Sequence, residues 1–168
     1  MNEHTALEGG SAVGPEGAAT MADCPLCAPR PDDCAHWLKV ARLSRSSLYL
    51  DRNQTYRGHC QLVYDGPHVE GLERLAPGEY TRLLEDLRQA ALAIHEAHRP
   101  DRINYVSLGN VVPHVHWHIV PRYTSDPRWG KPIYTSDPKD MPVTRIEEAE
   151  YRHIAERIGA LLEGTRRR

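Results

Sequence analysis

Three histidines at alternate positions constrain the fold of this chain more than any other feature of its sequence. His114, His116 and His118 are separated by valine and tryptophan and followed by isoleucine and valine. Successive side chains of a β-strand point to opposite faces of the sheet, so a strand here places all three imidazoles on one face and the apolar residues on the other. We therefore predict a β-strand with one face lined by imidazoles.

The segments around this strand predict the rest of an α+β domain. Stretches with the pattern of β-strands occur at residues 36–43, 46–51, 60–65, 103–108 and 114–120. Apolar residues repeat at helical spacing from Pro77 to Arg99, and Pro100 ends this helix. Thr144 and Glu147 have the spacing of a capping box for a last helix. Together these elements predict a compact α+β domain built on an antiparallel sheet.

The first part of the chain differs in composition from the rest. Residues 1–21 are rich in glycine, alanine, serine and proline, which predicts a disordered leader. Residues 22–168 suffice for a single domain with its own hydrophobic core.

Charge and hydrophobicity exclude several classes of protein. The formal net charge is −2 with neutral histidines, so we expect neither nucleic acid nor a membrane surface as a partner. No apolar segment approaches the roughly 18 residues of a membrane-spanning helix, and we find no secretion signal. The four cysteines are therefore expected to be reduced or metal-bound, and the protein to be cytoplasmic.

The histidine row could bind a metal, contact a phosphate, or supply a nucleophile with its helpers. A single histidine in a strand is more often a hydrogen-bonded core residue, but three in strict alternation are hard to explain in that way. Neighbouring positions on one face of a strand lie about 6.5–7 Å apart, so three imidazoles of one strand do not easily converge on one ion. A nucleophile flanked by phosphate contacts fits a linear row better.

Two of the cysteines have the spacing of a zinc site. Cys24 and Cys27 form a Cys-x2-Cys pair, which needs two more ligands to complete a tetrahedral site. Nearby Cys34 and His36 would make a self-contained knuckle. The distant candidates, His68 and His114, would reach the pair only through the fold, and a metal-free pair is the third possibility.

The residues around the three histidines resemble the motif of a known family. His-Val-His-Trp-His-Ile-Val at 114–120 fits the pattern His-φ-His-φ-His-φ-φ, with φ apolar, of the histidine-triad (HIT) nucleotide hydrolases and transferases. The resemblance runs from about Cys24 to about Tyr134 and includes Leu-Tyr-Leu-Asp-Arg-Asn and Arg-Gly-His-Cys-Gln-Leu-Val. It implies a HIT-like fold, with a curved antiparallel sheet of about five strands, one long helix and a C-terminal helix. SLGNVVPHVHWHIVPR resembles a bacterial branch described as diadenosine-tetraphosphate-hydrolase-like.

The resemblance implies a role for each residue that matches the family motif. His116 matches the nucleophile, which attacks the α-phosphorus of a dinucleoside polyphosphate and forms a nucleotidyl-histidine intermediate. His118 matches the histidine that holds the phosphate oxygens and supplies positive charge. Asp51 matches the acidic residue that contacts the ribose hydroxyls, and Asn53 lies beside it.

Other activities share these residues. A nucleoside phosphoramidase or a dinucleoside polyphosphate phosphorylase would use the same intermediate on another substrate or with another acceptor. A zinc-stabilised nucleotide-binding module without turnover is an alternative of a different class.

The sequence departs from the family in the loop before the triad. Many members carry a longer glycine-rich loop with a serine or threonine that contacts phosphate, whereas this chain has Gly-Asn-Val-Val-Pro. The residues available to replace that contact are Asn104, Ser107 and Asn110.

The resemblance also bears on the metal and on assembly. In some bacterial members of the family, a Cys-x2-Cys pair lies together with a histidine after the Gly-His strand and the first triad histidine. The resemblance therefore implies one structural zinc ion per chain, held by Cys24, Cys27, His68 and His114. The knuckle with Cys34 and His36 is the alternative. The family commonly pairs two domains, which implies a homodimer. Trp129 and Tyr134 lie in a loop that could belong to the dimer interface, cover the nucleotide site or fold back.

The other histidines are expected to be ordinary structural or surface residues, with His59 at the start of a strand. They are His4, His59, His95, His98 and His153.

Overall fold

The computed structural model describes residues 24–126, 128–134 and 142–166. Five strands form one antiparallel sheet in the order β1-β2-β3-β5-β4. The strands are β1 (Trp37–Arg42), β2 (Ser46–Asp51), β3 (Cys60–Tyr64), β4 (Arg102–Val106) and β5 (His116–Arg122). The helices are α1 (Pro77–His98) and α2 (Glu148–Arg166), with a short 3-10 helix at Leu72–Arg74. The predicted α+β class, the sheet and both helices are confirmed.

One face of the sheet packs against the two helices and forms the core. Inward-facing strand residues and helix residues meet there and are almost fully buried. They include Leu48, Leu50, Leu62, Leu83, Ile94, Trp117, Ile119, Ile158 and Leu162. Burial of each large apolar side chain contributes about 1.5–3 kcal/mol, so this face holds the fold together. The opposite face is left for the polar side chains of the same strands.

The strand register places the histidines beside polar residues of the neighbouring strands. Gln61 of β3 lies opposite His118 of β5, and Tyr49 of β2 lies opposite Gln61. His116 lies opposite Val63 in the same ladder. These residues share the sheet face that the helices do not cover, because their strand neighbours point into the core.

His114 does not belong to the strand, contrary to the prediction. β5 begins at His116. His114 precedes it in a tight turn in which its backbone N–H donates to the Val112 carbonyl at 2.8 Å. The His114 side chain is buried, with 2% of its surface exposed. The triad is therefore split into one buried histidine before the strand and two on the open face.

The predicted capping box is also wrong. α2 begins at Glu148, and the Tyr151 amide donates to the Glu147 carbonyl. Thr144 lies too far from this first turn to cap it, and its amide donates instead to Asn53 Oδ1 at 3.0 Å.

The predicted leader at residues 1–21 lies outside the described residues. Among the described helices, none has the length and apolar character needed to cross a membrane.

Candidate active site and metal-binding cluster

The hydrogen bonding of His116 leaves one ring nitrogen available for chemistry. Its Nδ1 lies 2.6 Å from the His114 carbonyl oxygen. A carbonyl oxygen can only accept, so Nδ1 carries the proton and Nε2 of the neutral ring holds the lone pair. A neutral imidazole with an unshared lone pair is a competent nucleophile toward phosphorus.

His118 is held by a histidine that the sequence interpretation treated as an ordinary residue. His118 Nδ1 and His59 Nε2 lie 3.0 Å apart, which is a hydrogen-bond distance. Burial and, to a smaller extent, the neighbouring His59 and His116 together lower the pKa of His118 to about 3. His118 is therefore neutral at pH 7 in the free protein.

His59 lies between His118 and the carboxylate of Asp51. Its Nδ1 is 4.0 Å from Asp51 Oδ2. Burial lowers the pKa of His59, while the Asp51 carboxylate and the Asn53 backbone offset part of that effect. The hydrogen bond between His59 and His118 thus joins the two rings, and the other nitrogen of His59 faces the Asp51 carboxylate. The Gly-His turn after β2 was the available sequence signal for this residue.

Asp51 is oriented by two donors. Its Oδ1 accepts from the Asn53 amide at 2.7 Å, and its Oδ2 accepts from Gln61 Nε2 at 2.7 Å. Sequence reasoning did not select Gln61, although it is the polar residue between inward-facing Cys60 and Leu62 of β3. The structure therefore joins Asp51, Gln61, His59 and His118 on one face.

The side chain of Asn53 is engaged elsewhere. Its Oδ1 accepts from the Thr55 hydroxyl at 2.8 Å and from the Thr144 amide at 3.0 Å. Its Nδ2 donates to the Pro142 carbonyl at 2.9 Å. Asn53 thus fastens the segment before α2 to the end of β2, and its backbone amide is the group that reaches Asp51.

The three candidate phosphate ligands occupy different environments. Asn104 Oδ1 accepts from Arg122 Nη1 at 2.9 Å, so this side chain is part of an internal network. Ser107 and Asn110 are exposed in the loop between β4 and β5. Gly109 adopts a left-handed conformation in that loop, with φ of 67°. Two of the three residues thus remain accessible to a ligand.

The loop after β5 is anchored by a buried arginine and reaches the histidines. Arg122 pairs with Asp126 at 2.9 Å and donates to the carbonyls of Arg128 and Lys131. Tyr134 places its ring edge-on to His118, with centroids 5.8 Å apart. Of the predicted roles for this loop, a cover over the histidine face agrees with the position of Tyr134.

Four side chains form a cluster with the dimensions of a zinc site. The ligand atoms of Cys24, Cys27, His68 and His114 all lie within 4.8 Å of one another. Cys27 Sγ is 3.3 Å from His68 Nδ1 and 3.4 Å from His114 Nδ1, and Cys24 Sγ is 3.6 Å from His114 Nδ1. Tetrahedral zinc with its usual Zn–S and Zn–N bonds separates sulfur and nitrogen by about 3.6 Å. The spacing therefore fits zinc.

The protonation of this cluster also suits a cation. His114 Nε2 donates to the Tyr64 carbonyl at 2.8 Å, which leaves the Nδ1 lone pair directed at both sulfurs. Burial lowers the pKa of His114 and so keeps this ring neutral. Burial and the adjacent Cys24 together raise the pKa of Cys27 to about 11. Such a thiol becomes a thiolate when a nearby cation compensates its charge.

The alternative knuckle is not assembled in the described part of the chain. Cys34 Sγ accepts from the His36 backbone amide at 3.5 Å, and neither side chain joins the ligand cluster around Cys24 and Cys27. All four cysteines of the chain are described, and none forms a disulfide.

Comparisons with known proteins agree with this architecture. The sequence model of the HIT domain family matches residues 38–125. None of the curated proteins compared with the chain matches it. A histidine triad protein from Sinorhizobium meliloti is 23% identical, with a TM-score of 0.66 over 73% of this chain and 87% of that one. One from Marinobacter aquaeolei is 24% identical, with a TM-score of 0.68 over 77% and 91%.

A third solved structure is a Zn-bound histidine triad family protein from Mycobacterium smegmatis. It is 19% identical to this chain, with a TM-score of 0.52 over 76% of this chain and 85% of that one. At these identities the structural likeness shows a shared fold.

Proposed function

Because the chain belongs to the HIT domain family, we propose that it is a nucleotide hydrolase that acts at the α-phosphate of dinucleoside polyphosphates through a nucleotidyl-His116 intermediate. The observation that carries this proposal is the hydrogen bond from His116 Nδ1 to the His114 carbonyl at 2.6 Å. It presents the Nε2 lone pair of a neutral ring, as the first chemical step requires.

The reaction proceeds in two displacements at one phosphorus atom. His116 Nε2 attacks the α-phosphorus, and the bond to the bridging oxygen breaks as the departing nucleotide takes its electron pair. The ring then carries positive charge, which the Nδ1–H bond to the His114 carbonyl stabilises. Water attacks the same phosphorus, the P–N bond breaks, and the nucleoside monophosphate leaves.

His118 accepts a proton from the attacking water. The ring is neutral in the free protein because burial lowers its pKa to about 3. A bound phosphate places negative charge beside the ring and raises its proton affinity. His118 therefore takes the proton of the attacking water only when substrate is present, and its positive charge develops where the phosphoryl group reacts. It returns this proton to solvent after the nucleoside monophosphate leaves.

Other residues near the histidine face of the sheet contact the nucleotide. Asp51 holds the ribose hydroxyls with carboxylate oxygens that are already oriented by Gln61 and the Asn53 amide. Ser107 and Asn110 contact phosphate from the β4–β5 loop. Asn104 contributes indirectly, because its side chain supports Arg122.

One zinc ion per chain is held by Cys24, Cys27, His68 and His114. The fit of the donor atoms and the Zn-bound relative from Mycobacterium smegmatis support this assignment. The ion supplies a structural cross-link between the N-terminal knuckle and the residue that precedes β5. It also fixes His114, whose carbonyl orients His116.

Two copies of the chain form a homodimer through the β4 edge of the sheet. Among the described residues, β4 has a partner strand on one side only. Exposed apolar side chains lie on this strand, in the following loop and on α1, namely Tyr105, Leu108 and Leu92. An open strand edge beside apolar side chains is a surface suited to self-association. A cytoplasmic location stays a prediction.

The proposed activity is tested by incubation with two substrates followed by chromatography. We expect adenosine monophosphate from diadenosine tetraphosphate, and no product with His116→Ala. Turnover of an adenosine phosphoramidate alone would instead indicate a phosphoramidase. Formation of adenosine diphosphate on addition of inorganic phosphate would indicate a phosphorylase. No turnover of either substrate would leave a zinc-stabilised nucleotide-binding module.

A further inference from the structure

The turn between β2 and β3 connects Asp51, the last residue of β2, to His59. One buried glutamine stabilises this turn. Gln54 is buried, its Oε1 accepts from the Gly58 amide at 2.9 Å, and its Nε2 donates to the Asp51 carbonyl at 2.6 Å. The turn closes where the Asp51 amide donates to the His59 carbonyl at 3.0 Å. The geometry of this turn therefore sets where the His59 ring lies.

The last residue of α1 supports this turn from the outside. Gly58 has a φ of 85°, in the left-handed region that favours glycine. A Cβ built on Gly58 would lie 2.5 Å from His98 Cδ2 and 2.8 Å from His98 Nε2. The His98 ring thus packs directly against the backbone of the residue before His59, at a distance that only glycine permits.

The chemistry of His98 points to packing rather than to ligand or proton binding. Its Nε2 is buried and has no hydrogen-bond partner among the described residues. Burial and, to a smaller extent, the positive charges of Arg57 and Arg157 together lower the pKa of His98 to about 4. Arg57 in turn pairs with Glu150 of α2. A neutral ring with an unused nitrogen in such a tight contact acts through its shape.

We propose that His98 is a positioning residue whose ring fixes the Gly58–His59 turn, so that His59 keeps its hydrogen bond to His118. α1 thereby reaches the active site without touching substrate. Removal of the ring frees the turn, the His59–His118 distance of 3.0 Å is no longer maintained, and the His118 ring loses the partner of its Nδ1. The His118 ring then exchanges between its two neutral tautomers.

The first test is side-chain nitrogen NMR of His59 and His118 in the zinc-loaded protein without substrate. In the wild type we expect one fixed tautomer of His118 and a shared proton between His118 Nδ1 and His59 Nε2. His98→Ala is expected to show averaged tautomers. His98→Phe keeps a flat ring and retains the fixed signal. His95→Ala, on the exposed face of the same helix, is the matched control and leaves the signal unchanged.

Gly58→Ala provides a second route that leaves His98 in place. The added methyl would clash with the His98 ring and also strain the backbone at a φ of 85°, so the turn should shift and the His118 tautomers should average. A fixed His118 tautomer in folded His98→Ala or in folded Gly58→Ala would overturn the proposal. This measurement needs no turnover, so its result is independent of the proposed hydrolase activity.

A kinetic test applies to the proposed function, on which this part of the inference rests. Displacement of a group that works at the reacting phosphate lowers the rate of chemistry more than substrate binding, by about tenfold here. We expect kcat of His98→Ala to fall by that factor with KM nearly unchanged, and His98→Phe to recover the rate to within about twofold. A fall in both variants alike, or a change confined to KM, would contradict a positioning role.

Discussion

At the scale of single residues, the three triad histidines differ in the nitrogen or in the partner of their structural hydrogen bonds. His114 donates through Nε2 to the Tyr64 carbonyl and directs Nδ1 at the cysteines. His116 donates through Nδ1 to the His114 carbonyl and presents Nε2. His118 is joined through Nδ1 to His59. In the proposed function, one repeated residue type thus serves as a metal ligand, a nucleophile and a proton acceptor.

The depressed pKa of His98 predicts that the protein loses stability in acid. The unfolded chain binds a proton at the ordinary pKa of 6.5, whereas the folded ring binds it only near pH 4. Between these values the unfolded state holds more protons, so the free energy of unfolding decreases as pH falls from 6.5 to about 4. Urea unfolding of wild type and His98→Phe across this range measures it. We expect a weaker pH dependence in the variant, and equal slopes would contradict the assignment.

The residue types of the site could be predicted from sequence, but their protonation could not. The histidine row and the Cys-x2-Cys pair are local patterns, so they indicated His116 and Cys24 directly. The carbonyl oxygen that accepts a hydrogen bond from His114 Nε2 belongs to Tyr64, fifty positions away along the chain. His59 and Gln54 lie in a turn that consists of glycine, polar residues and one tyrosine, and their roles depend on contacts that form when the chain folds.

At the scale of secondary-structure elements, one buried carboxylate joins α1 to the β1–β2 turn. Asp86 Oδ1 accepts from the Ser44 amide at 3.1 Å and the Ser44 hydroxyl at 2.9 Å. Its Oδ2 accepts from the Arg45 amide at 2.7 Å and the Ser46 hydroxyl at 2.8 Å. The helical periodicity gave no indication of this contact, because a charged residue on the apolar side of a helix is an exception to the pattern.

Asp86→Ala is expected to destabilise the protein strongly. The change leaves four donors without an acceptor, and two of them are backbone amides that no rotamer change can redirect. Each buried unsatisfied group costs about 1–3 kcal/mol, so we expect a loss of about 3 kcal/mol or more in the free energy of unfolding, measured with urea. Glu85→Ala is the matched control, because Glu85 is exposed and pairs with Arg88 at the surface. Its cost should stay below about 1 kcal/mol. Similar values for both variants would contradict the anchoring role.

The proposed zinc ion connects the N-terminal knuckle to the histidine strand, which gives a second prediction at this scale. His68→Ala should lower zinc content and thermal stability together, because a metal that binds only the folded state adds its binding free energy to stability. Cys34→Ser should change neither, since Cys34 lies outside the ligand cluster. Elemental analysis and thermal unfolding of both variants measure this. One equivalent of zinc in His68→Ala would remove His68 from the site, and loss of zinc in Cys34→Ser would favour the knuckle.

At the scale of the whole molecule, one face of the sheet forms the core and the other carries the candidate active site. One face is covered by α1 and α2, and the other carries the histidines, Asp51 and Gln61. The order of elements and the α+β class were predictable because hydrophobic periodicity is encoded locally. The position of His114 outside the strand was not, because its side chain lies in a cluster that the fold assembles from residues 24, 27 and 68.

Dimer formation is predicted from the open β4 edge. Sedimentation should give a mass about twice the 19.0 kDa of one chain. Tyr105→Glu places a charge among the exposed apolar side chains of this edge and should shift the equilibrium to monomers. Val143→Glu is the matched control, because Val143 is exposed in the segment before α2 rather than on β4. A monomeric wild type would contradict the proposal, as would equal dissociation by both variants.

The central claim is that His116 forms the covalent intermediate, and mass spectrometry of protein quenched during turnover tests it most directly. With diadenosine tetraphosphate as substrate, we expect an acid-labile adenylyl group that maps to His116 and is absent from His116→Ala, since only this ring presents Nε2 with its lone pair while Nδ1 is fixed by the His114 carbonyl. An adduct on His114, His118 or any other residue would contradict the account, as would turnover of His116→Ala within about tenfold of the wild-type rate.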